Sequence, residues 1–355
     1  MSVELTWNAD RLDLYNELVR RNDSDTHAVR NMLWFILSGR IAEGHVYVDQ
    51  WPFFRHVACM HPSHLYRPNS DMDFVTVGIT GEGDYDVHEF RKFFQNLIDA
   101  RKWRERPGAV LGYVNSQVAD AACHSLLPEQ DEGHITTLGP FRQYTAAEKE
   151  NLDMYAQRLE KAVGKLKEKG LFLDRLKPIE THLVADKSAY VVPYQADMLR
   201  WLTKVLPSAC IRDKTDNRPV SWIASYSSGA FGASYVLPEF RGQRLAEVMT
   251  LEMVCEMAKI TSSSRFFWIS DANSASINQV KRMYADLKQS ETFAKCVVFT
   301  PARVNIKKQA PQAFVPGSGW AKVHHHHHRS HMIKKTSALG QAGILALKGL
   351  RYLSR

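Results

Sequence analysis

The residues with the most chemical potential in this chain lie at 235–246, YVLPEFRGQRLA. A strand ends at Leu237, a tight turn follows, and a helix begins around Arg244. A strand-to-helix turn leaves the first backbone N–H groups of the helix without intrahelical acceptors. With the helix dipole they form an anion site suited to a pyrophosphate. Arg241 and Arg244 add positive charge, and Gly242 lets a ligand approach the backbone closely. The same residues also suit an ordinary helix start with two surface arginines. Two carboxylates could move protons nearby. Glu239 sits in the turn, where pairing with the helix dipole is its alternative role. Asp271 ends a later strand, as a base or as a helix cap.

Other chemistries find little support. The five cysteines, Cys59, Cys123, Cys210, Cys255 and Cys296, are widely spaced with no CxxC pair. They read as reduced, mostly buried thiols of an intracellular protein. The histidines of the body show no metal-ligand spacing, and no Walker or Rossmann glycine pattern is present.

The elements that must position the segment follow from pattern. The 355 residues are 45% hydrophobic and 24% charged, which are globular values. No apolar run reaches membrane-spanning length, and the early acids of MSVELTWNADRLDLYNEL, with no basic stretch leading into an apolar one, predict no secretory signal. Eleven lysines and arginines follow Glu291 with no acid among them, so the net charge of +8 becomes −3 for residues 1–291. The basicity belongs to the tail, and nucleic-acid binding is not expected of the body. Residues 8–21, 26–38, 85–103 and 116–126 read as helices, and 45–49, 55–60, 74–80 and 110–114 as strands. Thr145-Ala-Ala-Glu148 is a capping box opening a helix to Lys169. Strands at 180–184, 209–213, 218–227, 231–237, 266–270 and 296–300 alternate with helices at 195–206, 244–260 and 274–286. This order predicts an α+β fold with a mixed central sheet. Beyond Pro301 the pattern dissolves into a basic tail, 306–355, with a histidine run at 324–328.

The segment PEFRGQRLA resembles the acyl-CoA-binding loop of the GNAT superfamily, Arg/Gln-x-x-Gly-x-Gly/Ala. Arg241 matches the first position and Ala246 the last, while Arg244 stands where the second glycine is usual. PSACIRD (207–213), PVSW (219–222), LPEFR (237–241) and WISDANSASINQVKRM (268–283) follow the order of the glycine N-acyltransferase family. VDQWPFFRHVACMHP (48–62) is similar to that family's N-terminal half, so the resemblance covers roughly residues 1–305.

The resemblance implies two domains, 1–193 and a C-terminal GNAT domain at 194–305. It implies transfer of an acyl group from acyl-CoA, a co-substrate with no further cofactor, to glycine or another small amine. The strands at 231–237 and 266–270 would splay apart around the pantetheine. Val236 and Leu237 would hold the pantetheine, and Arg241, Gly242, Gln243, Arg244, Leu245 and Ala246 the pyrophosphate. Asn273 and Ser274 would face the thioester. The family's usual acidic base position falls on Ala230. That leaves Glu239, Asp271 and Tyr235 as nearby candidates, and Tyr284 one turn late for the acid tyrosine of GNAT enzymes. The alternative is an acyl-CoA-binding protein that kept the fold and lost the base. Family members are often mitochondrial, while the opening residues show no presequence pattern, so the expectation is an intracellular protein of mitochondrion or cytoplasm.

Overall fold

The computed structural model describes residues 2–81, 86–106, 108–126, 134–145, 152–188, 192–261, 266–284 and 287–300. The capping box at 145–148, save its first residue, and the whole histidine-bearing tail lie outside them.

The chain begins with β1 (Val3–Glu4), α1 (Asn8–Arg21), α2 (His27–Leu37), β2 (His45–Val48), β3 (His56–Pro62) and β4 (Asp73–Ile79). It continues through α3 (Val87–Arg101), β5 (Ala109–Asn115), α4 (Ser116–Leu126) and β6 (His134–Thr145). After α5 (Leu152–Glu168) come β7 (Leu171–Asp174), α6 (Thr181–Lys187), α7 (Gln195–Val205), β8 (Ala209–Asp213), β9 (Pro219–Ser225) and β10 (Phe231–Val236). Then follow α8 (Leu245–Ala258), β11 (Phe266–Ile269), α9 (Ser274–Met283) and β12 (Lys288–Thr300). Short 3-10 turns aside, one order occurs twice on either side of α5: a strand, two helices, three strands, a helix, a strand, a helix and a strand. The α+β class with a large mixed sheet is the one expected from the sequence.

Two sheets result. An eight-stranded sheet runs β1-β2-β3-β4-β5-β12-β6-β11, and a four-stranded sheet runs β10-β9-β8-β7. In the first half β4 and β5 pair in parallel over three residues, Asp73 to Val75 against Ala109 to Leu111. The two halves exchange their last strands. β12 lies between β5 and β6, and β6 carries the ladder to β11. The apolar core is likewise shared: α2 of the first half sends the Trp34 indole N–H to the Ile260 carbonyl at 2.7 Å, just past α8.

Besides the short strands β1 and β7, which the sequence reading did not include, three elements differ from it. The strand expected at 180–184 is instead a 3-10 turn, Pro178–Glu180, leading into α6. The Glu180 carboxylate accepts from the Lys177 N–H at 2.7 Å, which starts the turn, and binds the buried Arg212 guanidinium at 2.6 and 2.7 Å. Short apolar runs do not separate helix from strand by period, and here the capping decides. Strand β6 was not foreseen, because Gly139-Pro140 interrupts it and proline is a poor central-strand residue. The register of β12 shifts between Ala294 and Cys296, opposite that dipeptide, so the break falls at an irregularity in the ladder. β12 begins at Lys288 rather than 296, since its polar first half pairs with β6. All five cysteines are free, with Cys59, Cys210 and Cys296 buried. Among the described residues no helix is long and apolar enough to cross a membrane.

The β5–β12 contact can be tested at Gly108. A Cβ there would meet the Phe299 carbonyl oxygen at 2.0 Å, and its φ of +110° disfavours any side chain. Gly108→Ala should lower unfolding free energy by about 2–4 kcal/mol in urea titrations, combining backbone strain with displacement of β12. Gly164→Ala, exposed in α5 with nothing near its Cβ, should raise it by about 0.5–1 kcal/mol.

Candidate anion site at the start of α8

β10 delivers its end to the site through the ladder with β9, which the Leu237 N–H prolongs to the Val220 carbonyl at 2.9 Å. Pro238 cannot donate to a ladder, and the chain turns through Pro238–Phe240, with the Phe240 N–H bonded to the Leu237 carbonyl. Arg241 then folds back. Its Nε donates to the Val236 carbonyl at 3.1 Å, and its guanidinium lies 5.4 Å over the Tyr235 ring. Gly242 has φ +80° with open space where a Cβ would stand.

Arg244 takes the left-handed conformation, φ 58° and ψ 31°, at the N-cap of α8 and makes no side-chain cap bond. The residue in the place of the usual second glycine thus adopts the backbone a glycine would. The first i→i−4 bond of α8 runs from Val248 to the Arg244 carbonyl at 3.4 Å. The N–H groups of Leu245, Ala246 and Glu247 precede it and face outward from the helix end. The corresponding helix of the first half differs. At α3 the Asp86 carboxylate accepts from the N–H groups of His88 and Glu89 at 2.9 and 3.4 Å, so a carboxylate of the chain already occupies that helix end.

Against the open end of α8 lies a cleft of about 480 Å³, whose other wall is α5. Arg158, Lys161, Lys165, Lys169 and Arg244 supply its charge, and Ala162, Leu166, Val248 and Leu251 its apolar floor. The one acid lining it is Glu247, whose carboxylate Arg158 holds at 2.7 Å. The field of the cleft is therefore strongly positive. Sequence reasoning found Gly242 to Ala246 but missed the α5 wall. The signal was present in the i, i+4, i+8 spacing of Lys161, Lys165 and Lys169.

The β10 and β11 strands end their respective sheets and share no ladder among the described residues. They approach at Phe231 and Phe267, whose ring centroids are 5.8 Å apart. β10 is also irregular. Its register shifts between Gly232 and Tyr235, with Ala233 at φ 52°. Ala230 is buried in a hydrophobic cluster with Ala28 and Phe266, against which Tyr226 and Trp268 pack, and His27 stacks on Phe266. Burial pushes the Tyr226 phenol up to about 12.

The remaining predicted residues fall at two places. Glu239 is exposed in the 3-10 turn and is not the side-chain cap of α8. Asp271 follows β11 and is held by Arg142 of β6 through two hydrogen bonds of 3.1 Å. That guanidinium keeps its carboxyl below the usual range. Asn273 caps α9, accepting from the Ser276 N–H at 3.2 Å, and Ser274 opens the helix, exposed. Tyr235 stacks on Trp222 at 5.5 Å. Tyr284 is buried after α9 against Tyr155 and Phe267. The structure thus gathers Val236, Leu237 and residues 241–246 at one end of β10, and Asp271, Asn273 and Ser274 beyond the end of β11. Glu252 of α8 is the carboxyl that burial pushes up to about 7, but its charged neighbours are Glu256, Lys259 and Arg175, none of them in the β10–α8 turn or after β11.

No family model matches the chain, and no curated protein matches it. Solved structures do. A Drosophila protein of structural-genomics origin is similar over 84% of this chain and 98% of its own, with a TM-score of 0.58 at 15% identity. A tandem GNAT protein from the clavulanic acid biosynthesis pathway covers 84% of the chain and 98% of its own, with a TM-score of 0.47 at 9% identity. A GCN5-related N-acetyltransferase from Kribbella flavida covers 81% and 99%, with a TM-score of 0.44 at 11% identity. At 15% identity the likeness to the Drosophila protein is one of fold.

The loop geometry gives a direct expectation. Arg244→Gly should leave stability within about 1 kcal/mol of the parent, since relief of the left-handed cost is offset by the freedom of an added glycine in the unfolded chain. Gly242→Ala should lower it by about 1–2 kcal/mol, because φ +80° penalises a Cβ even in open space. Urea titrations of both variants check the pair.

Proposed function

We propose that the chain is an acyl-CoA-dependent N-acyltransferase that moves an acyl group to glycine or a similar small amine, using the groove between β10 and β11. The observation that carries this reading is the uncapped N-terminus of α8, set between an edge strand and a cationic cleft. An extended pantetheine carries amides that can pair with a strand edge, and at the end of β10 the residue placed for this is Val236, since the Leu237 N–H and carbonyl are bonded to Val220 and Phe240. The pyrophosphate then meets the N–H groups at 242–246 and the Arg244 guanidinium. The fold shared with GCN5-related N-acetyltransferases and the ordered sequence resemblance both support the reading.

The thioester would lie toward the end of β11, near Asn273 and Ser274. A neutral amine attacks the carbonyl carbon, the C–S bond breaks, the amide forms, and the thiolate leaves to take up a proton. The proton that the thiolate takes up is the one the amine loses, and a base must carry it between them. The buried position of Ala230 offers no acid, and we place Asp271 or Glu239 as acceptors through water. Asp271, kept ionised by Arg142, is a weak base. The free amine in solution therefore supplies the nucleophile.

Thiol release from acetyl-CoA and benzoyl-CoA should depend on the presence of glycine or another amino acid from a panel. The rate at limiting substrate should rise with pH up to the acceptor amine's own pKa. A plateau beginning near pH 7 would mean a protein base of raised pKa. Arg244→Ala should weaken CoA binding about tenfold, the usual worth of a charge-assisted hydrogen bond. A second reading, a CoA-binding protein without turnover, is favoured by the apolar setting of Ala230. It predicts the same binding with no amine-dependent thiol release.

A further inference from the structure

The α5 wall of the cleft does something the α8 loop does not. Lys161, Lys165 and Lys169 repeat every four residues, so they stand in one row along the helix and its end. Each has only Gln157 or another lysine of the row as its i±4 neighbour, an arrangement that costs helix stability by like-charge repulsion. All three are exposed, and none makes a side-chain hydrogen bond or ion pair with another described residue. They line the same cavity as Gly242 and Arg244. Arg158, one turn before Lys161, is committed to Glu247 and so removes the cleft's one negative charge. The result is two separate sets of anion-binding groups on facing walls: backbone N–H groups with Arg244 on one, and a lysine row on the other.

A single anion would need only one of these sets. A nucleotide carrying a pyrophosphate on one ribose oxygen and a phosphate on a neighbouring one needs two, a few ångströms apart. The cavity, of about 480 Å³, is of the size that ligand sites of this kind have. We propose that Lys161, Lys165 and Lys169 bind the 3′-phosphate of CoA, so that the protein selects CoA over 3′-dephospho-CoA. The proposal rests on the acyl-CoA reading above.

The test is calorimetric titration of the full chain with CoA and with 3′-dephospho-CoA, for the parent and for the triple variant Lys161→Gln, Lys165→Gln, Lys169→Gln. The parent should bind CoA about 10- to 100-fold more tightly than the dephospho form, as expected for a dianion losing its charge-assisted contacts. The triple variant should bind CoA as weakly as the parent binds 3′-dephospho-CoA, with its affinity for the dephospho form unchanged. Lys161→Arg, Lys165→Arg, Lys169→Arg should restore most of the preference. Equal affinity of the parent for both ligands would overturn the proposal and leave the acyl-CoA reading intact. So would a triple variant that loses affinity for both ligands equally, since that marks the row as general electrostatic attraction. Binding of neither ligand by the parent would overturn the acyl-CoA reading itself.

Discussion

β10 and β11 end separate sheets because β11 is held by the first half of the molecule. In the first half β4 and β5 pair in parallel, and that pairing closes the gap between them for three residues. In the second half the equivalent strands, β10 and β11, share no ladder among the described residues. β11 is paired with β6, β6 with β12, and β12 with β5, so a chain of antiparallel ladders ties β11 to the first half's sheet. β10 meanwhile stays with β9, β8 and β7. The facing edges of β10 and β11 are thereby not paired to each other. Strand exchange between the halves is in this sense what keeps β10 and β11 from pairing as β4 and β5 do.

The repetition also explains why only one of two equivalent helix ends is open. The first half caps α3 with Asp86, which supplies negative charge where an anion would otherwise sit. The second half reaches α8 through Arg244 in a left-handed conformation and leaves the N–H groups uncovered. Charge follows the same division. The α8 cleft gathers five cations around one neutralised acid. Two equivalent helix starts thus differ in what stands at the N-cap, a carboxylate at α3 and Arg244 at α8.

Much of this could be read from the sequence, and the omissions have physical causes. The helices at 8–21 and 116–126 and the strand at 209–213 fall where periodicity puts them. The β10–α8 turn was legible because proline, glycine and arginine occur there in an order that dictates its geometry. The run at 180–184 misled because seven-residue helices and short strands bury the same few apolar side chains, and the deciding contact, Glu180 with Arg212, spans 32 residues. β6 and the first half of β12 carry polar residues and a Gly-Pro break that only the partner strand explains. The repeat itself is invisible in the residues, since it is a repeat of element order. The α5 lysines, at i, i+4 and i+8, join the cleft only because α8 lies opposite them.

The most direct measurement is hydrogen–deuterium exchange of the full chain with and without saturating CoA, resolved by peptide. The account predicts slowed exchange over 236–248 and at the lysine-bearing end of α5, with peptides spanning 86–90 unaffected. Protection that appears at the start of α3 instead, or nowhere along the β10–α8 turn, would contradict it.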